Sequence, residues 1–151
     1  MRLKLFLISL VAFCSTAFAQ TDDYNIVGLN QGKNGAYNVT VTTKVKKVKE
    51  GIDILSRCAV HGVMFRGFNS PDGGQKALIA DPNVEKTKAT FFQAFFNEGG
   101  YKRYVTVNQT SFASAKSKGG FEVKASMLVD KESLREYLEK EGIIKGFSNL
   151  W

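Results

Sequence analysis

The sequence predicts an α+β fold: a two-layer sandwich in which a mostly antiparallel sheet carries about three helices on one face. Three observations indicate this class. Apolar and polar residues alternate through AYNVTVTTKVKKV and again through FEVKASMLV, which is typical of strands with one buried and one solvated face. Apolar residues recur every three or four positions in other segments, as in amphipathic helices. The chain shows no internal repeat and no linker, so residues 36–151 are predicted to form a single domain.

Residues 1–19 are predicted to be a signal peptide and not part of the fold. MRLK supplies a positive start, LFLISLVAFC is an apolar run too short for a comfortable membrane span, and AFA at residues 17–19 is a small-x-small cleavage pattern. We therefore expect export to the periplasm or the cell surface, with cleavage between Ala19 and Gln20. Lipidation at Cys14 stays open as an alternative, although this chain has Phe13 where a lipoprotein signal has a small residue.

The net charge narrows the class of partner. The whole chain has a formal net charge of +7, and loss of Arg2 and Lys4 with the signal peptide leaves +5. A moderately basic protein favours peripheral contact with anionic surfaces. The sequence carries no nucleic-acid motif, so we expect no nucleic acid partner.

Cleavage leaves Cys58 as the only cysteine, which excludes an internal disulfide and predicts a buried thiol.

The mature chain begins with a polar segment. Residues 20–35 contain several glycines and little periodicity, which predicts a flexible N-terminal arm with room for one short strand through Tyr24, Ile26 and Val27. The first full strand is AYNVTVTTKVKKV, whose odd-numbered residues from 37 to 45 share one face. We expect that face to be buried and the opposite face to be wet.

A helix follows from about Glu50, because Leu55, Ala59 and Val63 recur at helical spacing. Gly62 lies inside it and costs about 1 kcal/mol relative to alanine, so we expect a neighbour to approach closely there. Gly67 is the predicted end.

The remaining elements are predicted from turn residues and periodicity. In order, they are a short strand in KALIA, a phenylalanine-rich helix from Asp81-Pro82 to Gly99-Gly100, a strand from Tyr101 to Gln109, a long mobile serine-rich loop, a strand in FEVKASMLV, and a last helix capped by Asp130 and ended by Gly142.

Cys58 and His61 lie three residues apart in the predicted first helix and share one of its faces. Two ligands do not make a zinc site, which needs three or four. A catalytic thiolate and imidazole would need an exposed cysteine. Since Cys58 stands among apolar residues, we interpret both side chains as buried structural residues.

Two groups of residues form a candidate interaction surface. The basic cluster of Lys44, Lys46, Lys47 and Lys49 would contact an anionic partner, or would simply solvate a strand edge and discourage edge pairing. In FFQAFF, Phe92 and Phe96 form a second apolar stripe on the predicted helix. This stripe would either meet a partner chain or belong to a helix buried on two sides.

The sequence offers little catalytic machinery. It contains no G-x-S-x-G elbow, phosphate loop, dinucleotide motif or H-E-x-x-H pair, and its single histidine, His61, would have to serve any Ser-His-acid triad. We therefore predict a protein that is not an enzyme and uses no cofactor or metal.

The layout from Tyr37 to Ile144 resembles that of small exported envelope domains of Gram-negative bacteria. It is carried by the VTVTTK strand, the helix with CAVHGVMFRGF, and the closing FEVKASMLVDKESLREYLEKEGII. In outline it is similar to the N-terminal domain of flagellar assembly protein T and to related small outer-membrane lipoproteins. This resemblance implies an envelope location and carries no catalytic or ligand motif.

Together these patterns predict a non-enzymatic module of the cell envelope that docks to another envelope protein through the open sheet face or the phenylalanine helix. The alternative is a periplasmic carrier or sensor of a small anionic or apolar ligand, which would need a pocket lined by aromatic side chains.

Overall fold

The computed structural model describes residues 23–31 and 35–146, so the predicted signal peptide, its cleavage site and Cys14 lie outside the described residues. It confirms the α+β class, with seven strands in one mostly antiparallel sheet. The strands are β1 (Tyr24–Gln31), β2 (Ala36–Val45), β3 (Phe68–Ser70), β4 (Gly73–Gln75), β5 (Val105–Val107), β6 (Ala113–Ser117) and β7 (Gly120–Asp130). The helices are α1 (Gly51–His61), which continues into the π-helical turn Gly62–Arg66, α2 (Val84–Thr87), α3 (Ala89–Asn97) and α4 (Lys131–Lys140).

The centre of the sheet is the antiparallel pair β2 and β7. Ten residue pairs join them, from Ala36 opposite Asp130 to Val45 opposite Phe121. Alternate side chains of both strands are fully buried beneath α1, as the period-two pattern predicts. These include Val39, Val41, Val123, Ala125 and Val129. The other face is polar, and there the hydroxyl groups of Thr40 and Ser126 form a cross-strand hydrogen bond of 3.1 Å.

The short strand that the sequence allows through Tyr24, Ile26 and Val27 is confirmed, but it extends over Tyr24–Gln31, so the prediction of a flexible arm is wrong over that range. That segment is β1, which pairs antiparallel with β2 and contacts β3 in parallel through Val27 and Asn69. Its alternation is hard to recognise because the core-facing set contains Gly28 in place of a side chain. A Cβ atom on Gly28 would lie 2.6 Å from the Cβ atom of Ser70, so the glycine permits the close approach of β3.

The mobile loop predicted after the strand beginning at Tyr101 is also wrong. The serine-rich segment contains β6, which pairs with the first half of β7, while β5 pairs with the second half. The residues of β6 are small or basic and mostly exposed, so they carry no apolar pattern. The strand predicted from Tyr101 to Gln109 corresponds to β5 and is shorter than expected, because 3₁₀ turns at Gly100–Tyr104 and Gln109–Ser111 flank it.

The predicted KALIA strand is absent among the described residues, and its backbone has another role. The amides of Leu78 and Ile79 donate to the carbonyl oxygens of Val63 and Met64, at 3.1 and 2.9 Å. Carbonyl groups at the end of a helix lack partners within the helix. This segment therefore supplies hydrogen-bond donors to carbonyl groups of the π-helical turn. The small β3–β4 hairpin precedes it in the chain.

The helices form one layer on the buried face of the sheet. α1 packs directly on β2 and β7. The single predicted phenylalanine helix is divided at Lys88, whose φ of −110° and ψ of 28° are not helical, so it comprises α2 and α3. Rings of Phe91 and Phe95 stack on Tyr137 of α4, with centroids 5.9 and 5.6 Å away. α4 begins as predicted, since Asp130 Oδ1 accepts a hydrogen bond from the Ser133 amide.

The two glycines predicted to matter near the end of the first helix do so. A Cβ atom on Gly62 would lie 2.8 Å from Ile26 Cδ1 of β1, so a neighbour approaches closely as expected. Gly67 ends the π-helical turn with a φ of 70°, and a Cβ atom there would lie 2.2 Å from the carbonyl oxygen of Gln75. Only glycine adopts this conformation without strain.

Gly67→Ala should therefore destabilise the protein by about 2 kcal/mol or more, through backbone strain and the clash with Gln75. The matched control is Gly74→Ala, because Gly74 is exposed and its added Cβ atom would lie 3.6 Å from Asn69 Oδ1, an ordinary contact. That control should change the free energy of unfolding by less than about 0.5 kcal/mol. Chemical denaturation checks both variants, and equal stabilities would contradict the backbone argument.

Candidate functional site

A cavity of about 230 Å³ lies between the C-terminal half of α1 and the pair α2–α3. Buried rings of Phe92, Phe96 and His61 line it together with the charged side chains of Arg57, Glu85 and Lys86. We call this cavity the aromatic chamber. Ala89 and Gln93, on the first turns of α3, complete its lining. It forms because Phe92 and Phe96 are spaced four residues apart and point from α3 toward the end of α1.

His61 is the central polar group of the aromatic chamber. Its side chain is 9% exposed, its Nδ1 atom lies 2.8 Å from the Tyr24 hydroxyl, and its Nε2 atom lies 3.1 Å from Glu85 Oε1. A carboxylate only accepts hydrogen bonds, so Nε2 carries a proton. In a neutral ring Nδ1 then accepts from Tyr24. The imidazole thereby joins β1, α1 and α2.

Aromatic rings surround this imidazole, and a cation packs on the ring of its partner Tyr24. The centroid of the imidazole ring lies 5.0 Å from that of Phe65 and 6.1 Å from that of Phe96. The Arg66 guanidinium lies 4.2 Å from the centroid of the Tyr24 ring. Cation–π contacts of this kind are worth about 0.5–2 kcal/mol, depending on exposure. They add to the hydrogen bonds that hold Tyr24 in place beside His61.

A second, polar cavity adjoins the aromatic chamber, and we call it the Asp53 cavity. Asp53 Oδ1 accepts a hydrogen bond of 2.8 Å from the Tyr101 hydroxyl and lies 2.9 Å from Lys102 Nζ. Partial burial raises the pKa of Asp53, but the hydrogen bonds from Lys102 and Tyr101 and the positive charges of Lys102 and Arg57 outweigh it, so the pKa lies below its usual range. Arg57 and Phe96 line both cavities.

The prediction that Cys58 and His61 are buried structural residues is confirmed. Cys58 is 1% exposed and His61 is 7% exposed. Burial raises the pKa of the Cys58 thiol to about 12, against the lowering effects of Arg66 and Arg57. A thiol with this pKa holds almost no thiolate at neutral pH, which is the form needed for nucleophilic attack or metal binding.

The structure separates the two halves of the predicted interaction surface. Phe92 and Phe96 are 3% and 6% exposed, so the interpretation of this stripe as a partner surface is wrong and the alternative, a helix buried on two sides, is confirmed. α3 contacts α1 through Phe96 and His61, and it contacts α4 through Phe95 and Tyr137. The predicted basic cluster is exposed and directly precedes α1, whereas the chamber lies at the other end of that helix. Its members are Lys44, Lys46, Lys47 and Lys49.

The sequence did not point to Tyr24, Glu85 or Arg57 as parts of this site. Tyr24 and Glu85 are 37 and 24 residues from His61, and no motif joins them. One usable signal was present: Arg57 and His61 share a helical face at a spacing of four residues, as do Phe92 and Phe96. This spacing places the two residues of each pair on one face of their helix. It does not show that the two helix faces contact each other.

Within the part of the chain that the structure describes, no group of three or more histidine, cysteine or acidic side chains is close enough to hold a metal ion. No helix in residues 23–31 and 35–146 is long and apolar enough to cross a bilayer.

The fold defines the class of the protein as a two-layer α+β sandwich with a pocket in its helical layer. Comparisons of the chain with protein-family models, with curated proteins and with solved structures found no match. The layout resemblance to small exported envelope domains therefore stays a prediction.

The Cys58 thiol should be almost unreactive in the folded protein. In a Cys14→Ser chain at pH 8, a pKa of about 12 gives a thiolate fraction roughly a thousandfold below that of an ordinary cysteine. A chromogenic disulfide reagent should thus react slowly with the native protein and rapidly after denaturation. The variant that also carries Cys58→Ser gives the background. Rapid reaction under native conditions would show that the thiol is accessible and ionised.

Proposed function

We propose that the protein is a non-enzymatic, exported binding protein that carries or senses a small ligand in the aromatic chamber. The observation that carries this proposal is the chamber itself, a cavity of about 230 Å³ whose interior is formed by the buried rings of Phe92, Phe96 and His61. Concave, mostly apolar cavities with a few converging polar groups are the usual form of small-molecule sites. Export is supported by the sequence of residues 1–19.

The surroundings of the chamber favour a small molecule over a protein partner. The exposed residues of α2 and α3 are polar or small, so these helices offer no fully exposed large apolar side chain beside the cavity. In the described part of the chain, the exposed large apolar side chains are Val27, Leu29 and Leu128, all away from the chamber. A stable protein interface buries about 800 Å² on each partner, which a single cavity in a polar surface does not supply.

The chemistry of the site supports binding in preference to catalysis. Both ring nitrogens of His61 are hydrogen-bonded within the protein, to Tyr24 and Glu85. The nearby thiol of Cys58 has a strongly raised pKa, because it is buried. A general base needs a nitrogen within reach of its substrate, and a nucleophile needs an accessible, activated atom. These groups are placed to hold the helical layer together.

Titration with hydrocinnamyl alcohol, which has one aromatic ring and an uncharged end, tests the proposed function. Saturable chemical-shift changes should appear at the amides of His61, Phe92 and Phe96 in isotope-labelled protein. A ligand of this size should bind with a dissociation constant of about 1 mM. Ala89→Phe should abolish the changes, because its ring fills the chamber.

The matched control is Ala94→Phe, which adds the same ring to the same helix at an exposed position outside the chamber. It should bind the alcohol like the unmodified protein. If the unmodified protein shows no saturable change, or if both phenylalanine variants bind equally well, the chamber is not a ligand site.

A second candidate function, docking to another envelope protein, is favoured by the open face of the sheet. Val27, Leu29 and Leu128 are 41–44% exposed there, and we call them the apolar sheet patch. Val27 and Leu128 pair with Thr40 and Asn38 on the face away from the helices. The neighbouring groove holds amides and hydroxyls and no charged side chain. An uncharged apolar partner protein fits this patch, while the exposed lysines before α1 suit peripheral contact with an anionic surface.

A photoreactive residue at Thr106, which is exposed and lies opposite Leu128, tests docking in the envelope fraction. One adduct of defined mass should form, should disappear in the Leu29→Ser, Leu128→Ser variant, and should persist in Ala89→Phe. The same residue at the exposed Glu136 of α4 is the control position. An adduct that forms equally from both positions would exclude a specific docking surface, and an adduct of twice the chain mass would identify a second copy instead.

A further inference from the structure

The side chains that line the aromatic chamber carry more positive than negative charge. Arg57 of α1 donates a hydrogen bond of 2.8 Å from its Nη2 atom to Asn97 Oδ1, and its guanidinium carbon lies 5.6 Å from the centroid of the Phe96 ring. Lys86 of α2 is exposed and forms no ion pair within the described residues. The one acidic side chain in the lining, Glu85, accepts a hydrogen bond from His61. The chamber therefore combines an apolar interior with a net positive lining.

Two acidic side chains, Asp53 and Glu98, line the adjoining Asp53 cavity, and Asp53 is already paired within the protein. Asp53 accepts a hydrogen bond from Tyr101 and forms an ion pair with Lys102. Arg57 lines both the Asp53 cavity and the aromatic chamber. Its guanidinium therefore stands at the boundary between an apolar compartment and a polar one, which suits a ligand whose apolar and charged ends differ.

We propose that the ligand of the aromatic chamber is a small amphipathic carboxylate. This inference rests on the proposed function and specifies the chemistry of its ligand. The apolar body packs on Phe92 and Phe96. The carboxylate forms a charge-assisted hydrogen bond with the Arg57 guanidinium, which also donates to Asn97 Oδ1. Lys86 adds a second positive charge at the exposed side.

The size of the chamber limits the apolar body. A cavity of about 150 Å³ lined by apolar side chains holds one benzene molecule, and drug-sized ligands occupy about 300–1,000 Å³. At about 230 Å³, the chamber accommodates one aromatic ring or a short branched chain with a short linker. A phospholipid or a long fatty acid exceeds this volume.

Ligands with other charges fit the same residues less well. An ammonium group would approach two cations, Arg57 and Lys86, and Glu85 would have to exchange its bond to His61 for the ligand. A hydroxyl group would gain only neutral hydrogen bonds, which are weaker than charge-assisted ones. The order of affinity for a common apolar body is therefore carboxylate, then alcohol, then amine.

Three probes that share the phenylpropyl body test this order: hydrocinnamate, hydrocinnamyl alcohol and phenylpropylamine. We expect hydrocinnamate to bind about tenfold more tightly than the alcohol, as charge-assisted hydrogen bonds imply, and the amine to bind more weakly than both. Isothermal titration and the amide shifts of His61, Phe92 and Phe96 give the affinity and the location. Ala89→Phe should block all three probes.

Charge variants assign the preference to individual side chains. Arg57→Gln should remove most of the tenfold difference between hydrocinnamate and the alcohol, and Lys86→Gln should reduce it by about threefold, since exposed charge pairs are weak. Lys88→Gln, which removes an exposed lysine outside the chamber lining, should leave the difference unchanged. If circular dichroism shows that Arg57→Gln is misfolded, Lys86→Gln alone decides the charge assignment.

The outcomes separate this inference from the function on which it rests. If all three probes bind in the chamber with equal affinity, or if the amine binds most tightly, the carboxylate assignment is overturned and the ligand-binding function stands. If Lys86→Gln and Lys88→Gln have the same effect, the preference does not arise at the chamber and the assignment also fails. If no probe binds in the chamber, the proposed function and the inference fail together.

Discussion

The hydrogen bonds of the buried His61 imidazole fix the relative positions of three parts of the chain. An imidazole that loses its water on burial needs a partner for each ring nitrogen, and here the partners are Tyr24 of β1 and Glu85 of α2. A shift of either element would leave a buried nitrogen unpaired. The aromatic chamber has its shape because the start of β1, the end of α1 and the start of the phenylalanine-rich segment meet at one ring.

Regular patterns in the sequence were sufficient to predict the centre of the fold. β2, β7 and α4 each have one buried and one wet face, so their periodicity is undisturbed and their predicted positions are confirmed. β1 was predicted only as a short strand within an arm, because Gly28 replaces an inward side chain while Val27 and Leu29 face outward, which removes the usual contrast between apolar and polar faces. β6 was missed because a strand of alanine, serine and lysine resembles a loop.

The candidate site was predictable only in part. The burial of Cys58 and His61 could be predicted from their apolar neighbours, because a helix face that is rich in apolar residues packs into the core. The contacts of His61 with Tyr24 and Glu85 depend on how β1 and α2 lie relative to α1. The spacing of residues along the sequence indicates single helices and strands, not contacts between them. The stripe of Phe92 and Phe96 was recognised, but its two interpretations differ only in what covers it. The structure shows that the cover is α1 and its histidine.

The central ladder also determines when the fold can form. The bonded hydroxyls of Thr40 and Ser126 are 86 positions apart in the chain, so the two middle strands meet only after most of the polypeptide exists. Contacts at such separation slow folding, and the β1–β2 hairpin that can form earlier is marginally stable alone. During synthesis the backbone edge of β2 that pairs with β7 therefore stays unpaired until β7 has been made. A chain that stops before Asp130 leaves part of that edge without its partner strand.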